Sequence, residues 1–180
     1  MAKYPESEGG KKIYTILNEE TSTIEVVVEG LRGVFRNGNA KVAGEFLSLE
    51  NLALLKRFIV AYQASASLTW GRVKGIASRG EAKVKHEKSK EFMKIRNVSL
   101  PGLSLYQSEE EKNKYKEGRI PSQKDAEIMS MVATEKFASD CAIWEGLLAR
   151  ITSASNTLNN FSEAVKELYW MQKSEKENID

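Results

Sequence analysis

The sequence predicts a mainly α-helical protein: a small N-terminal β-meander, then a helical region ending in a long, heptad-patterned helix. Three observations predict it. Apolar residues recur at steps of three and four over 52–66 and again over 144–168. Short β-branched runs precede residue 44, which is the composition of strands. Pro101-Gly102, Gly118 and Pro121 isolate one polar stretch between the two helical regions.

Residues 1–12 are polar and contain two glycines, and read as a flexible arm. A small β element is expected over 13–46, from the runs Ile13 to Leu17, Thr23 to Val28 and Leu31 to Arg36. Asn18 to Ser22 and the dipeptide Asn37-Gly38 read as its turns, the second favouring a tight hairpin.

A helical segment is expected over 47–100. Ser48 can accept a hydrogen bond from the orphan amides of a helix start, and Leu47 and Leu52 occupy the two positions of a hydrophobic staple. Leu52, Leu55, Ile59, Tyr62 and Ala66 then form one stripe. Gly71, Gly75 and Gly80 weaken the pattern, which resumes at Glu81 and stops before Pro101-Gly102. Residues 101–121 read as a polar connector.

Residues 122–180 form the C-terminal helix or helix pair, opening with the cap Ser122-Gln123-Lys124-Asp125. Trp144, Leu147, Ile151, Ala154, Leu158, Phe161, Val165 and Leu168 keep a spacing of 3.5 residues, the period of a coiled coil or bundle seam. A continuous helix over 123–173 would be about 75 Å long at 1.5 Å per residue. Such a seam needs another helix or another chain, so Trp144, Leu147, Ile151, Leu158, Phe161, Val165 and Leu168 are the expected contacts of a homo-oligomer. Thr152 to Thr157 is poor in helix formers, which leaves open one helix or two.

Chemistry is narrowed by what is scarce. One cysteine (Cys141) excludes an internal disulfide, and one histidine (His86) leaves little scope for histidine catalysis or His/Cys metal sites. Gly75-Ile76-Ala77-Ser78-Arg79-Gly80 begins like a P-loop, but Glu81-Ala82 stands where lysine and a hydroxyl residue are required. His86 lies among Lys83, Lys85, Lys88 and Lys90, a poor setting for a general base. A surface histidine and a small buried cysteine are the simpler readings. The sequence therefore predicts a non-enzymatic protein with no cofactor and no metal. No apolar run is long enough for a bilayer, and the N-terminus lacks a secretory layout, so a cytoplasmic protein without membrane contact is expected.

The distribution of charge is more informative than its total of +2. Between residues 68 and 98 stand nine cations and three anions, a balance of +6 that leaves the rest of the chain at −4. Arg72, Lys74, Arg79, Lys83, Lys85, Lys88 and Lys90 are the candidate phosphate contacts, because cations on a backbone release its counterions. Trp70 and Phe92 flank them as candidate stacking surfaces for unpaired bases. The competing reading is a solvated lysine-rich helix face.

The layout of residues 50–173 resembles the recombination mediators of T-even-type phages, the UvsY family. The resemblance lies in the order of parts. An apolar helix, Asn51 to Ala66, leads into a basic stretch, Arg72 to Arg96. After a connector comes Ala133-Thr134-Glu135-Lys136, entering Ile143-Trp144-Glu145-Gly146-Leu147-Leu148 and an amphipathic helix from Ala154 to Leu168. The family's DNA-binding lysine and arginine stand two apart, a spacing that both Arg72-Val73-Lys74 and Lys83-Val84-Lys85 have. The resemblance implies a single-stranded DNA-binding mediator that loads a RecA-like recombinase, contacts that recombinase or a single-strand-binding protein, assembles through C-terminal helices, and works in the host cytoplasm if phage-encoded. Two other readings stay open: a small helical subunit of a nucleoprotein complex of the CRISPR effector type, holding a displaced strand, and a coiled-coil adaptor that binds no nucleic acid.

Overall fold

A computed structural model describes residues 8–36, 47–96 and 121–177. Among these residues there are four helices and no strand: α1 (Glu8–Arg36), α2 (Leu49–Ile95), α3 (Gln123–Ala133) and α4 (Glu135–Glu177). No helix among them is long and apolar enough to cross a membrane. They divide into two compact units. The first holds α1, α2 as far as Gly75, and α4 from Glu145; the second holds α2 from Ile76, α3, and α4 as far as Trp144.

The expected β-meander is not formed over residues 13–36, which are helical. Its hairpin dipeptide Asn37-Gly38 lies outside the described residues, as does most of the 101–121 connector. The physical reason is periodicity. Tyr14, Leu17, Thr21, Ile24, Val28, Leu31 and Phe35 are spaced three and four apart, and all are buried or half-buried. Strand alternation would have placed Ile13, Tyr14, Ile16 and Leu17 on both faces of a sheet. Here Ile13, Ile16 and Val26 are exposed while every stripe residue turns inward. β-branched composition is a weak preference that packing overrides. The threonines adapt to the helix: Thr15, Thr21 and Thr23 each donate to the carbonyl four residues back, at 3.0, 2.7 and 2.9 Å.

In the first unit the three helices bury one core. Ile24, Val28 and Leu31 of α1 meet Leu52, Ile59 and Ala66 of α2, and Ile151, Ala154, Leu158, Val165 and Leu168 of α4. Phe35 stacks on Phe161 with ring centroids 5.0 Å apart. The α4 seam is thus buried as its spacing predicts, with Leu147 in the same unit and Trp144 buried in the second. From Ile151 to Leu168 it packs against α1 and α2 of the same chain.

Polar contacts at the flanks set the register. Arg150 of α4 donates Nε to Glu25 Oε1 at 3.0 Å, Nη1 to Asn18 Oδ1 at 2.6 Å and Nη2 to Ser22 Oγ at 3.2 Å, all on α1. The hydrogen-bonded Glu25 carboxylate holds the guanidinium pKa above its ordinary value, against the opposing effect of burial. Between α1 and α2, Thr69 donates to Glu20 at 2.8 Å and Arg72 at 3.3 Å. Between α2 and α4, Gln63 donates to Asn159 at 2.8 Å, and Gln172 to the carbonyl of Leu47 at 2.8 Å. Low numbers on α2 face high numbers on α4, so these two run antiparallel, and α1 runs with α4.

Ser48 caps α2 as expected, accepting from the Asn51 amide at 3.2 Å. The glycines that weaken the pattern do not interrupt it, because Val73 and Ala77 are buried between them. Residues 152–157 are also continuous helix. Thr152 and Thr157 donate back to the carbonyls of Leu148 and Ser153 at 2.7 and 2.9 Å, and Ala154 and Leu158 sit in the core. Tertiary packing outweighs propensity here. The break comes instead at Thr134, between α3 and α4. The Thr134 hydroxyl donates to the carbonyl of Ser130 at 2.8 Å and its amide to that of Met131 at 3.2 Å, satisfying the end of α3. At the other end Ser122 caps α3, accepting from the Asp125 amide at 3.2 Å.

The second unit buries Ile95, Ile143 and Trp144 together with the smaller Ala77, Ala126, Ser130, Thr134 and Cys141. Cys141 lies under α2, its Sγ 3.9 Å from the carbonyl of Ala77. A Cβ at Gly80 would stand 3.2 Å from that same sulfur. Gly80 therefore permits a close helix approach, whereas Gly71 and Gly146 face open space. Two outcomes follow for urea unfolding. Gly71→Ala and Gly146→Ala should each stabilise by about 0.5–1 kcal/mol, the ordinary helix gain, while Gly80→Ala should lose that gain to crowding against Cys141. Ile151→Ala should destabilise the chain by about 2–5 kcal/mol, in the range for emptying a core position, at any protein concentration; a loss confined to dilute protein would return the seam to an intermolecular role.

Candidate nucleic-acid interface

The basic segment lies entirely on α2, so helical geometry decides which of its cations act together. At 100° per residue, Arg79, Lys83, His86 and Lys90 fall within an arc of about 60°. Their spacing is four, three and four residues, and the stripe is about 16 Å long at 1.5 Å per residue. Arg79, Lys83 and His86 are exposed, and Lys90 is half-buried. Neither Glu81 nor Glu87 falls inside the arc; half-buried Glu87 borders it on the core side.

Lys85, Lys88 and Phe92 occupy the opposite flank of the helix, roughly half a turn away. Alternation along the sequence hides this division. Lys83 and Lys85 are two residues apart and cannot touch the same phosphate run from one face. The second unit thus brings together Arg79, Lys83 and Lys90 of the expected residues and separates Lys85 and Lys88 from them.

Several further cations of α2 have partners in the fold. Lys94 is buried and paired with Glu91 at 2.9 Å, and Arg96 donates to the carbonyl of Pro121 at 2.6 Å. Arg72, in the first unit, is bound to Glu20 but largely exposed. Lys74, also in the first unit, holds its ammonium over the Trp70 ring, 4.3 Å from the centroid.

Trp70 is not presented as a stacking platform. Its ring packs against the core of the first unit, Nε1 donates to Thr152 at 3.0 Å, and Lys74 covers one face. An aromatic that sequence reasoning missed stands beside the stripe: Phe137 of α4, half-buried, with Lys83 Nζ 4.9 Å from its ring centroid. It lies 54 positions from Lys83, so no local spacing could reveal it. Among the described residues, no group of histidine, cysteine, aspartate and glutamate could hold a metal ion.

No family model, no curated protein and no solved structure matches this chain.

The geometry assigns Trp70 to stability. Trp70→Phe should cost about 1 kcal/mol in urea unfolding, the net value of the lost Nε1 hydrogen bond, with affinity for an oligonucleotide unchanged. A variant of full stability with weakened binding would make Trp70 a base contact after all.

Proposed function

We propose that this protein binds single-stranded nucleic acid through the α2 face formed by Arg79, Lys83, His86 and Lys90, and acts without catalysis as a recombination mediator that helps a RecA-like recombinase onto its strand. The observation that carries the binding reading is the arrangement of these four groups in one narrow arc with no carboxylate inside it. A solubilising surface has no reason to segregate its charges, because interspersed signs serve solubility as well. The stripe is short, so one chain neutralises few phosphates, and affinity falls with salt by about 0.7 log units per decade for each of them. Single strands are favoured over duplex, since a flexible backbone can follow the stripe and offer a base to the exposed part of Phe137. The recombination setting rests on the order of parts shared with the UvsY family.

The division of cations between two flanks supplies the test. Fluorescence anisotropy of a labelled oligonucleotide is measured across salt concentrations for three double variants. Lys83→Glu with Lys90→Glu should flatten the slope of log affinity against log salt by about 1.4, at 0.7 per phosphate contact. Lys85→Glu with Lys88→Glu, on the opposite flank, should change it by less than half as much, as should Lys173→Glu with Lys176→Glu. Equal losses in all three would leave only general attraction to a polyanion, and the adaptor reading would take precedence.

A further inference from the structure

The outer face of α2 in the first unit is unlike the rest of this charged chain. From Phe58 to Gly71 there are fourteen residues and not one charge. Six of these residues, Ile59, Tyr62, Gln63, Ala66, Thr69 and Trp70, are buried or half-buried. The remainder, Phe58, Val60, Ala61, Ala64, Ser65, Ser67, Leu68 and Gly71, is exposed. Leu54, Phe58 and Leu68 are 55%, 45% and 67% exposed, although each is large and apolar. Leu54, Phe58, Ala61, Ser65, Leu68 and Arg72 recur at steps of four and three. This is a second heptad stripe on α2, adjacent to the one that packs inside the chain, and among the described residues its members are exposed. Small residues at its centre let another helix approach closely.

We infer that this stripe is a homodimer interface, in which α2 of two copies packs antiparallel about a two-fold axis at Ala61. The self-complementarity of the sequence points to a second copy as the occupant. In an antiparallel pair centred on Ala61, Leu54 lies opposite Leu68 of the second copy, and Phe58 opposite Ala64. Glu50, exposed in the first turn of α2, then lies opposite Arg72. Arg72 is 62% exposed while bound to Glu20, and so retains guanidinium nitrogens for a second carboxylate. Two-fold symmetry makes each of these contacts twice, as an isologous interface requires. Arg57 faces Ser65, so the pairing brings no like charges together. A shift of the centre to between Ala64 and Ser65 would set Arg57 against Arg72, which selects the Ala61 register by repulsion.

The paired segment, residues 50–72, is about 33 Å long at 1.5 Å per residue. One helix pair of this length lies at the small end of specific interfaces, so dissociation is expected in the micromolar range. The dimer does not depend on nucleic acid, and its residues are distinct from Arg79, Lys83 and Lys90.

The full chain is examined by sedimentation equilibrium from about 1 to about 100 µM, without nucleic acid, a range that brackets micromolar dissociation. A monomer–dimer equilibrium is expected. Leu54→Glu with Leu68→Glu should raise the dissociation constant by at least roughly thirtyfold, given the few anchors that dominate an interface, with helical circular dichroism unchanged because both side chains are exposed. The second measurement places the axis. Ala61→Cys should form an intermolecular disulfide readily under mild oxidation, since only a residue on the two-fold meets its own copy at bonding distance. Ser153→Cys, exposed on α4, is the control. A chain that stays monomeric to the highest concentration overturns the inference and leaves the stripe to a different partner. So does a dimer that the double glutamate variant leaves intact, or one in which both cysteine variants cross-link at the same rate.

Discussion

Everything in the first unit depends on the burial of the α4 seam. Ile151, Leu158 and Val165 are fully buried and Leu168 nearly so, and each side chain of that size is worth roughly 1.5–3 kcal/mol when removed from water. One helix cannot cover such a stripe from both sides. α2 supplies one wall with Leu52, Ile59 and Ala66, and α1 the other with Ile24, Val28 and Leu31. This requirement explains why residues 13–36 are helical despite their β-branched composition: only a helix presents one residue in every 3.5 to a shared axis, and a strand would turn half of them outward.

Apolar stripes by themselves tolerate a slip of one heptad; the polar contacts beside them do not. Arg150 is met by Glu25, Asn18 and Ser22 in one geometry, and a shift along α1 would leave a half-buried guanidinium unmatched. Thr69, buried, needs the Glu20 carboxylate that it reaches at 2.8 Å. Trp70 and Gln63 do the same between α2 and α4. These contacts add modest stability where they are exposed, and their larger effect is to make one register preferable to its neighbours.

The same geometry sorts the cations. α2 gives one arc of its circumference to packing, and its charged residues divide between the two arcs on either side. Arg79, Lys83 and Lys90 fall on one, Lys85 and Lys88 on the other, and Lys94 is drawn into the interior with Glu91 as its partner. A segment with a balance of +6 in sequence is therefore a narrower feature in three dimensions. It is also a better defined one, because the stripe that remains lies beside Phe137 and admits no carboxylate.

The sequence by itself determined the helices with undiluted periodicity. The α4 seam from Leu147 to Leu168, the α2 stripe from Leu52 to Ala66, and the caps at Ser48 and Ser122 are all where spacing and hydrogen-bonding chemistry put them. It also held the α1 stripe from Tyr14 to Phe35, visible once a period of 3.5 is sought through Thr21, but composition pointed to strands. Only the tertiary structure decided how those stripes are satisfied. Whether the α4 seam meets its own chain or another copy depends on the availability of α1, which no property local to α4 encodes. Continuity through Gly71 and through residues 152–157 likewise follows from burial of their neighbours, and the break at Thr134 from the hydroxyl that closes α3. The partition of the basic segment rests on which arc of α2 is buried, and that is fixed by partners on other helices, such as Cys141 against Ala77 and Gly80.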